Sequence, residues 1–374
     1  MNAILKRAFY GTVLSALVIA CAKPLAPIDI TEPTGDEELV PVSFTTGTGP
    51  DTKLVDILTD NEKNITRWAL VVFDDESGWN TYGTASGNSA ISLRLRGGRS
   101  YTGYAIVNYP TSGTGSFTPS PFSSFSEFKA RLATLEGCTP SSLLMYGSLT
   151  FTPTVTTQAS EAVSTEPTPE EKTIHVKRIL SRVDVKKIIV DFSGKPTLSG
   201  KTFTLRHIYL SNLYRNTTYI SDLSYAGLSN TRSAWYNSGG WHRGEGGIAS
   251  IDVITSDRDI DSVISAGSPY VRNHSFYAIP NPTPESSDDR QMGLWGKRCT
   301  RLVIEATIDT DTYYYAITIP SMARNSIYEF QSITIKGKGS NDPEVLDMDP
   351  SDLIVDFSVS RDGWDMAGEI TENS

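Results

Sequence analysis

Histidine, cysteine and the carboxylates bind most metals and move most protons in proteins, and their spacing decides whether they can. The chain has four histidines, His175, His207, His242 and His274. None forms a His-x-x-x-His pair or stands beside a cysteine, so no zinc site is expected. His175 falls in a strand pattern beside Lys177 and reads as exposed; His242 reads as part of a surface loop. Asp342, Glu344, Asp347, Asp349 and Asp352 crowd together but lack the spacing and the glycine of a calcium loop. They read as a solvated acidic loop. Between Gly194 and Gly200 lie five residues, one more than a phosphate loop allows, and the stretch runs into an alternating strand, not a helix. It reads as a β-turn. No Gly-x-Ser-x-Gly elbow marks a nucleophile. The reading is therefore of a chain that is not an enzyme, with no catalytic, cofactor-binding or metal-binding residues.

One cysteine does sit where chemistry is expected. Lys6 and Arg7 precede a short apolar run over 12–20, too short to anchor stably across a bilayer, and the run ends at Ala20-Cys21. Leu17-Val18-Ile19-Ala20-Cys21 is similar to a bacterial lipoprotein box, in which Cys21 takes the lipid after residues 1–20 are removed. A plain signal peptide with an incidental cysteine is the alternative. Removal of 1–20 takes the formal charge from −10 to −12. An acidic chain without a basic stripe argues against nucleic-acid binding. Cys138 and Cys299 are far apart in sequence. Either they pair, as an exported protein allows, or they are two separate buried thiols.

The elements that must position such groups are mostly strands. Tyr, Thr, Ser and β-branched residues are plentiful, and 374 residues make two domains the natural expectation. Residues 21–38 are rich in Pro and acids and read as a flexible tether. Val40, Val42 and Phe44 alternate with polar neighbours in a short strand that Pro41 assigns to a sheet edge. Residues 65–74 are nearly continuously apolar, as in a strand buried on both faces. Ser124-x-x-Glu127 has capping-box spacing, and Phe128, Leu132 and Leu135 follow at helical intervals toward a stop at Gly137. Residues 152–171 read as a linker. Many strands and about one helix, without strand–helix alternation, give an all-β chain of two tandem β-sandwich domains, 39–171 and 172–374.

The last strand pattern is distinctive. Leu353, Val355, Phe357 and Val359 alternate with Ile354, Asp356, Ser358 and Ser360 beyond an acidic, Pro-containing loop. Such a strand either closes its own domain or leaves it to pair with another sheet edge.

The order of these features resembles the Bacteroidales fimbrillin family, the subunits of type V pili. The matching pieces are Cys21; the strand Val40–Phe44 and a loop with a basic residue; Ile65-x-x-Trp68-Ala69-Leu70-Val71-Val72-Phe73-Asp74; the basic strand Lys177-Arg178-Ile179-Leu180-Ser181-Arg182-Val183; and Ser275-Phe276-Tyr277-Ala278-Ile279-Pro280-Asn281. Arg324-Asn325-Ser326-Ile327-Tyr328-Glu329, the segment Gly337 to Glu344, and Val355-x-Phe357-x-Val359 followed by Trp364 complete the series, which covers nearly the whole chain.

The resemblance implies two transthyretin-like sandwiches and export as an outer-membrane lipoprotein destined for the cell surface and the fimbrium. It also implies cleavage by a trypsin-like protease in the loop behind the first strand. The displaced strand is then Val40, Val42 and Phe44. The donor strand from a neighbouring subunit is Leu353, Val355, Phe357 and Val359, with Trp364 as an anchor. The partners implied are other pilin subunits, head to tail, in a filament that serves adhesion; no cofactor is implied. The family's cleavage residue is usually Arg, whereas this chain offers only Lys53 and Lys63 between Phe44 and Asn64. Lys53, behind a Gly- and Pro-containing stretch, is the expected site; uncut, the subunit would be a basal anchor. The competing reading is a surface glycan-binding lipoprotein, with Trp235, Tyr236 and Trp241 stacking on sugar rings; otherwise these aromatics pack under a long loop.

Overall fold

The computed structural model describes residues 38–47, 62, 64–113, 115–136, 138–154, 168–237, 256–257, 260–287, 296–344 and 349–360. The first half of the chain supplies β1 (Leu39–Gly47), β2 (Arg67–Asp74), β3 (Asn80–Ser86), β4 (Ile91–Arg96), β5 (Tyr101–Val107), α1 (Phe125–Lys129), β6 (Leu132–Thr134), β7 (Met145–Phe151), β8 (Glu170–His175) and β9 (Lys177–Arg178). They build a five-stranded sheet, β3-β2-β5-β7-β9, facing a three-stranded sheet, β4-β1-β8. Between them Trp68, Leu70, Val72, Ala105 and Val107 meet Val40, Val42, Phe44 and Ile174 in one core.

The second half supplies β10 (Ser181–Val190), β11 (Phe203–Ser211), β12 (Leu213–Tyr214), β13 (Asn216–Thr218), β14 (Trp235–Tyr236), β15 (Ser256–Asp257), β16 (Ser262–Ile264), β17 (Tyr270–Ala278), β18 (Thr300–Ile308), β19 (Asp311–Ile319), β20 (Ile327–Ile335) and β21 (Leu353–Ser360). Here the sheet β17-β10-β20-β21 faces one in which β11 and β18 are central and β19 flanks β18. Val183, Val185, Leu205, Ile208, Ile304 and Phe330 fill the space between. The two sandwiches meet across a third core. Ala69, Val71 and Phe73 lie on the outer face of the five-stranded sheet, and they are covered by Phe117, Phe122 and Phe128 together with Trp235, Tyr277 and Ile327 of the second half. That double coverage explains the unbroken apolar run of β2, buried at seven of its eight positions. The all-β fold matches the expectation.

Three local expectations are changed. The helix is only five residues, capped as expected by Ser124, whose Oγ accepts from the Glu127 N–H at 3.1 Å. Glu127 in turn accepts from Ser123, one residue before the cap. Leu132 and its neighbours continue not as helix but as β6, paired antiparallel with β13 from the other half. A long-range ladder overrides local helical spacing, and Leu132 ends up 48% exposed. The end of the stretch expected as a linker is strand: Glu170 and Glu171 begin β8, which pairs in parallel with β1. The pairing of β9 with β7 carries the first sandwich's ladders on to Arg178. Cys138 and Cys299 are buried, separate free thiols.

Candidate functional site

The seat of β1 is the site that the alternating pattern of Val40, Val42 and Phe44 points to. All three side chains turn inward, at 7%, 0% and 0% exposure. Phe44 meets Phe151 edge to face with ring centres 5.1 Å apart. The strand is not at an edge, as Pro41 suggested, but in the middle of its sheet. It runs antiparallel to β4, with Val42 opposite Leu93, and parallel to β8, with Val42 opposite Glu170.

Proline is tolerated in the centre for a specific reason. The Gly97 N–H donates to the Glu38 carbonyl at 3.0 Å, which makes Leu39 and Arg96 a non-hydrogen-bonded pair. Two residues on, Pro41 and Arg94 are again such a pair, so the Pro41 nitrogen faces away from β4. On that side β8 begins its pairing only at Val42. The missing N–H falls where there is no partner strand to miss it.

Withdrawing β1 would leave two strand edges, β4 and β8, on either side of an apolar floor formed by Trp68, Leu70, Val72 and Phe151. One glycine makes the β8 side possible. A Cβ on Gly147 would lie 2.2 Å from the His175 carbonyl oxygen, so only glycine in β7 lets the chain cross here from β8 to β9.

The last strand, β21, stays in its own sandwich, antiparallel to β20 along its whole length and at the sheet edge. Of its two possible fates, this one is seen in the isolated chain. Its hold is uneven. At its start the Asp349 carboxylate accepts from the Ser351 N–H at 2.9 Å. The Asp352 carboxylate pairs with Lys195 at 2.7 Å, and its carbonyl accepts from the Lys336 N–H at 2.7 Å. Leu353 and Val355 rest against the second core. Toward its end Phe357 and Val359 are each 40% exposed, and Ile354 is 50% exposed on the other face. Phe357 touches Phe330 at 4.8 Å between ring centres, and it has Tyr328 beside it. Cys21, Lys53 and Trp364 lie outside the described residues, so the structure brings none of them to the site.

Of the aromatic residues named for stacking on sugar, Trp235 and Tyr236 are fully buried. Trp235 donates from Nε1 to the Ser229 carbonyl, and Tyr236 donates to Glu136. They are core residues, and Trp241 lies outside the described residues. A cavity of about 620 Å³ opens at the junction of the sandwiches, lined by Tyr146, Ile220, Leu223, Met322 and Arg324 among others. Arg324 is spent on the loop carbonyls of Thr218, Tyr219 and Ser221. The acidic loop before β21 is also used structurally, with Glu344 paired to Arg298 at 2.6 Å.

Sequence reading attached no role to Glu62, which is nonetheless buried. Its neighbours Asn61, Lys63 and Asn64 are polar and hide it in an apparent loop.

No family model matches the sequence, and no curated protein matches it. Solved structures do match in fold. A cell adhesion candidate from Bacteroides eggerthii has a TM-score of 0.59 at 16% identity, covering 87% of this chain and 96% of its own. Another from Parabacteroides distasonis has a TM-score of 0.56 at 15% identity, covering 86% and 96%. A fimbrilin from Porphyromonas gingivalis has a TM-score of 0.53 at 16% identity, again covering 86% and 96%. The chain shares their β-sandwich fold over 86–87% of its length.

Proposed function

We propose that this chain is a structural pilin subunit of cell-surface fimbriae that serves adhesion. On this reading it is exported as a lipoprotein through Cys21 and held at the outer membrane by that lipid. A trypsin-like protease cuts after Lys53, β1 leaves, and the last strand of a neighbouring subunit fills the seat. The fold shared with a fimbrilin and with cell adhesion candidates supports the class of function. The observation that carries the mechanism is the seat itself: β1 is paired on both sides and wholly buried on one face.

The energetics favour exchange over a permanently empty seat. Each inward side chain of β1 contributes roughly 1.5–3 kcal/mol by leaving water, and the two ladders add to that. An empty seat would expose this surface and leave two rows of backbone donors and acceptors unpaired. Leu353, Val355, Phe357 and Val359 repeat the alternation of Val40, Val42 and Phe44. In its own sheet β21 has one neighbour and keeps its far end half-exposed; in the seat it gains two neighbours and a floor. Pairing of one subunit's end with another's beginning does not close on itself, so it builds a filament.

The test is limited trypsin digestion under native conditions, followed by N-terminal mass and size measurement. A new terminus at Leu54 and a ladder of oligomers are expected, and deletion of 350–374 is expected to abolish the ladder. Stable monomers after clipping would overturn the reading. A subunit that resists cutting at Lys53 would instead keep β1 and act as a basal anchor.

A further inference from the structure

A carboxylate is buried between the two sandwiches. Glu62 is 1% exposed, just ahead of β2. Its Oε1 accepts from the Tyr277 hydroxyl at 2.6 Å, and its Oε2 pairs with Arg182 Nη1 at 2.8 Å. Its backbone carbonyl accepts from Arg178 Nη2 at 2.7 Å. Arg182 also donates from Nε to Asp184 at 2.8 Å, and the Ser275 hydroxyl donates to the same carboxylate oxygen at 2.8 Å. Arg178 belongs to β9, Arg182 and Asp184 to β10, and Ser275 and Tyr277 to β17. One residue from the β1–β2 connection is thus tied to elements of both sandwiches.

The next residues are also held. The Asn108 side chain accepts from the Thr66 N–H at 2.8 Å and donates to the Asn64 carbonyl at 2.8 Å. Between these two, Ile65 is 7% exposed and lies in the same core as Val40, Val42 and Phe44. The chain is therefore fixed at Glu62, Asn64, Ile65 and Thr66, immediately next to the strand proposed to leave.

We propose that Glu62 is a retaining pin, a positioning residue for strand exchange that keeps residues 62–66 in place when β1 departs. This rests on the reading under Proposed function. If these residues peeled away with β1, the seat would lose Ile65 from its wall, and Arg182 would lose its Glu62 partner in a buried site. The pin makes the departure of β1 a local event and leaves the seat shaped for one incoming strand. It also bears on where the chain is cut. A protease needs several residues of free, extended chain on both sides of the bond. Lys63 stands between two pinned residues, Glu62 and Asn64, whereas Lys53 stands nine residues before the pin. The pin directs cutting to Lys53.

The test compares wild type, Glu62→Ala and Glu62→Gln. Each is clipped with trypsin, its new N-termini are read by mass, and its affinity for a synthetic peptide spanning 350–364 is measured. The wild type is expected to begin at Leu54 only and to bind the peptide. Glu62→Ala is expected to give a second terminus at Asn64 and to bind at least tenfold more weakly. Glu62→Gln, which removes the charge but keeps one acceptor oxygen for Arg182 or Tyr277, is expected to fall between. A core variant of the second sandwich, Ile304→Val, controls for general destabilisation and should be cut only at Lys53. If the clipped wild type does not bind the peptide, the strand-exchange reading itself fails. If wild type binds and Glu62→Ala matches it in both termini and affinity, only the pin is overturned. Should unclipped Glu62→Ala fail to fold, Tyr277→Phe removes one bond to the carboxylate. It should raise cutting at Lys63, and an unchanged pattern would overturn the pin.

Discussion

At the scale of single residues, burial separates what holds the folded chain together from what is free to act. Phe44 is fully buried against Phe151. Phe44→Ala should lower the stability of the unclipped chain by about 3–5 kcal/mol in chemical denaturation, the usual loss for a buried aromatic. Clipping should then trigger assembly faster, because β1 is held less tightly. His274 gives a second test. Its Nδ1 lies 2.8 Å from Asp257 and its Nε2 lies 3.0 Å from the Tyr270 hydroxyl. Burial pushes the imidazole below its ordinary value of 6.5, against the opposing pull of the Asp257 charge. The folded form thus favours neutral histidine more than the unfolded chain does. The resulting stability is present above pH 6.5 and is lost as pH falls from there through the folded value. Melting temperature should drop between pH 7.5 and 5.5, and His274→Gln should flatten that slope. What sequence conveyed at this scale was facing: alternation put Val40, Val42 and Phe44 on one side, and they are buried on one side. Glu62 was not legible, because its burial depends on Arg178, Arg182 and Tyr277, more than a hundred residues away in sequence.

At the scale of elements, β1 and β21 are opposites. The first is paired on both flanks and buried; the second is an edge strand, firm at Asp352 and loose at Val359. Phe357→Asp with Val359→Asp should therefore lower the unclipped melting temperature only modestly, by the loss of the Phe357 contacts with Phe330 and Tyr328, while abolishing polymer after clipping. Equal loss of monomer stability and assembly would mean that β21 acts only within its own sandwich. Gly147→Val should act in the other direction. It pushes the His175 backbone outward, loosens β8 and destabilises the seat; hydrogen exchange of residues 170–175 should rise. Periodicity found these strands but not their neighbours. The partner of β1 on one side, β8, comes more than a hundred residues later, and no local pattern encodes that pairing. The same limit explains Leu132, whose helical spacing yielded to a ladder with β13.

At the scale of the molecule, two sandwiches share a third core and a ladder between β6 and β13, so the halves are joined more closely than a tandem of separate domains. Force on one sandwich therefore reaches the other through packed side chains, as the proposed filament subunit would require. On the proposed reading, the seat of β1 in one copy is refilled by β21 of another. Splitting the two roles between two proteins isolates this exchange. One protein is clipped and carries Phe357→Asp and Val359→Asp, so that it offers only a seat; the other is unclipped and intact, so that it offers only a strand. A one-to-one dimer is expected when the two are mixed, and monomers when either is alone. Monomers in the mixture, or dimers that persist when the second protein lacks 350–374, would contradict it.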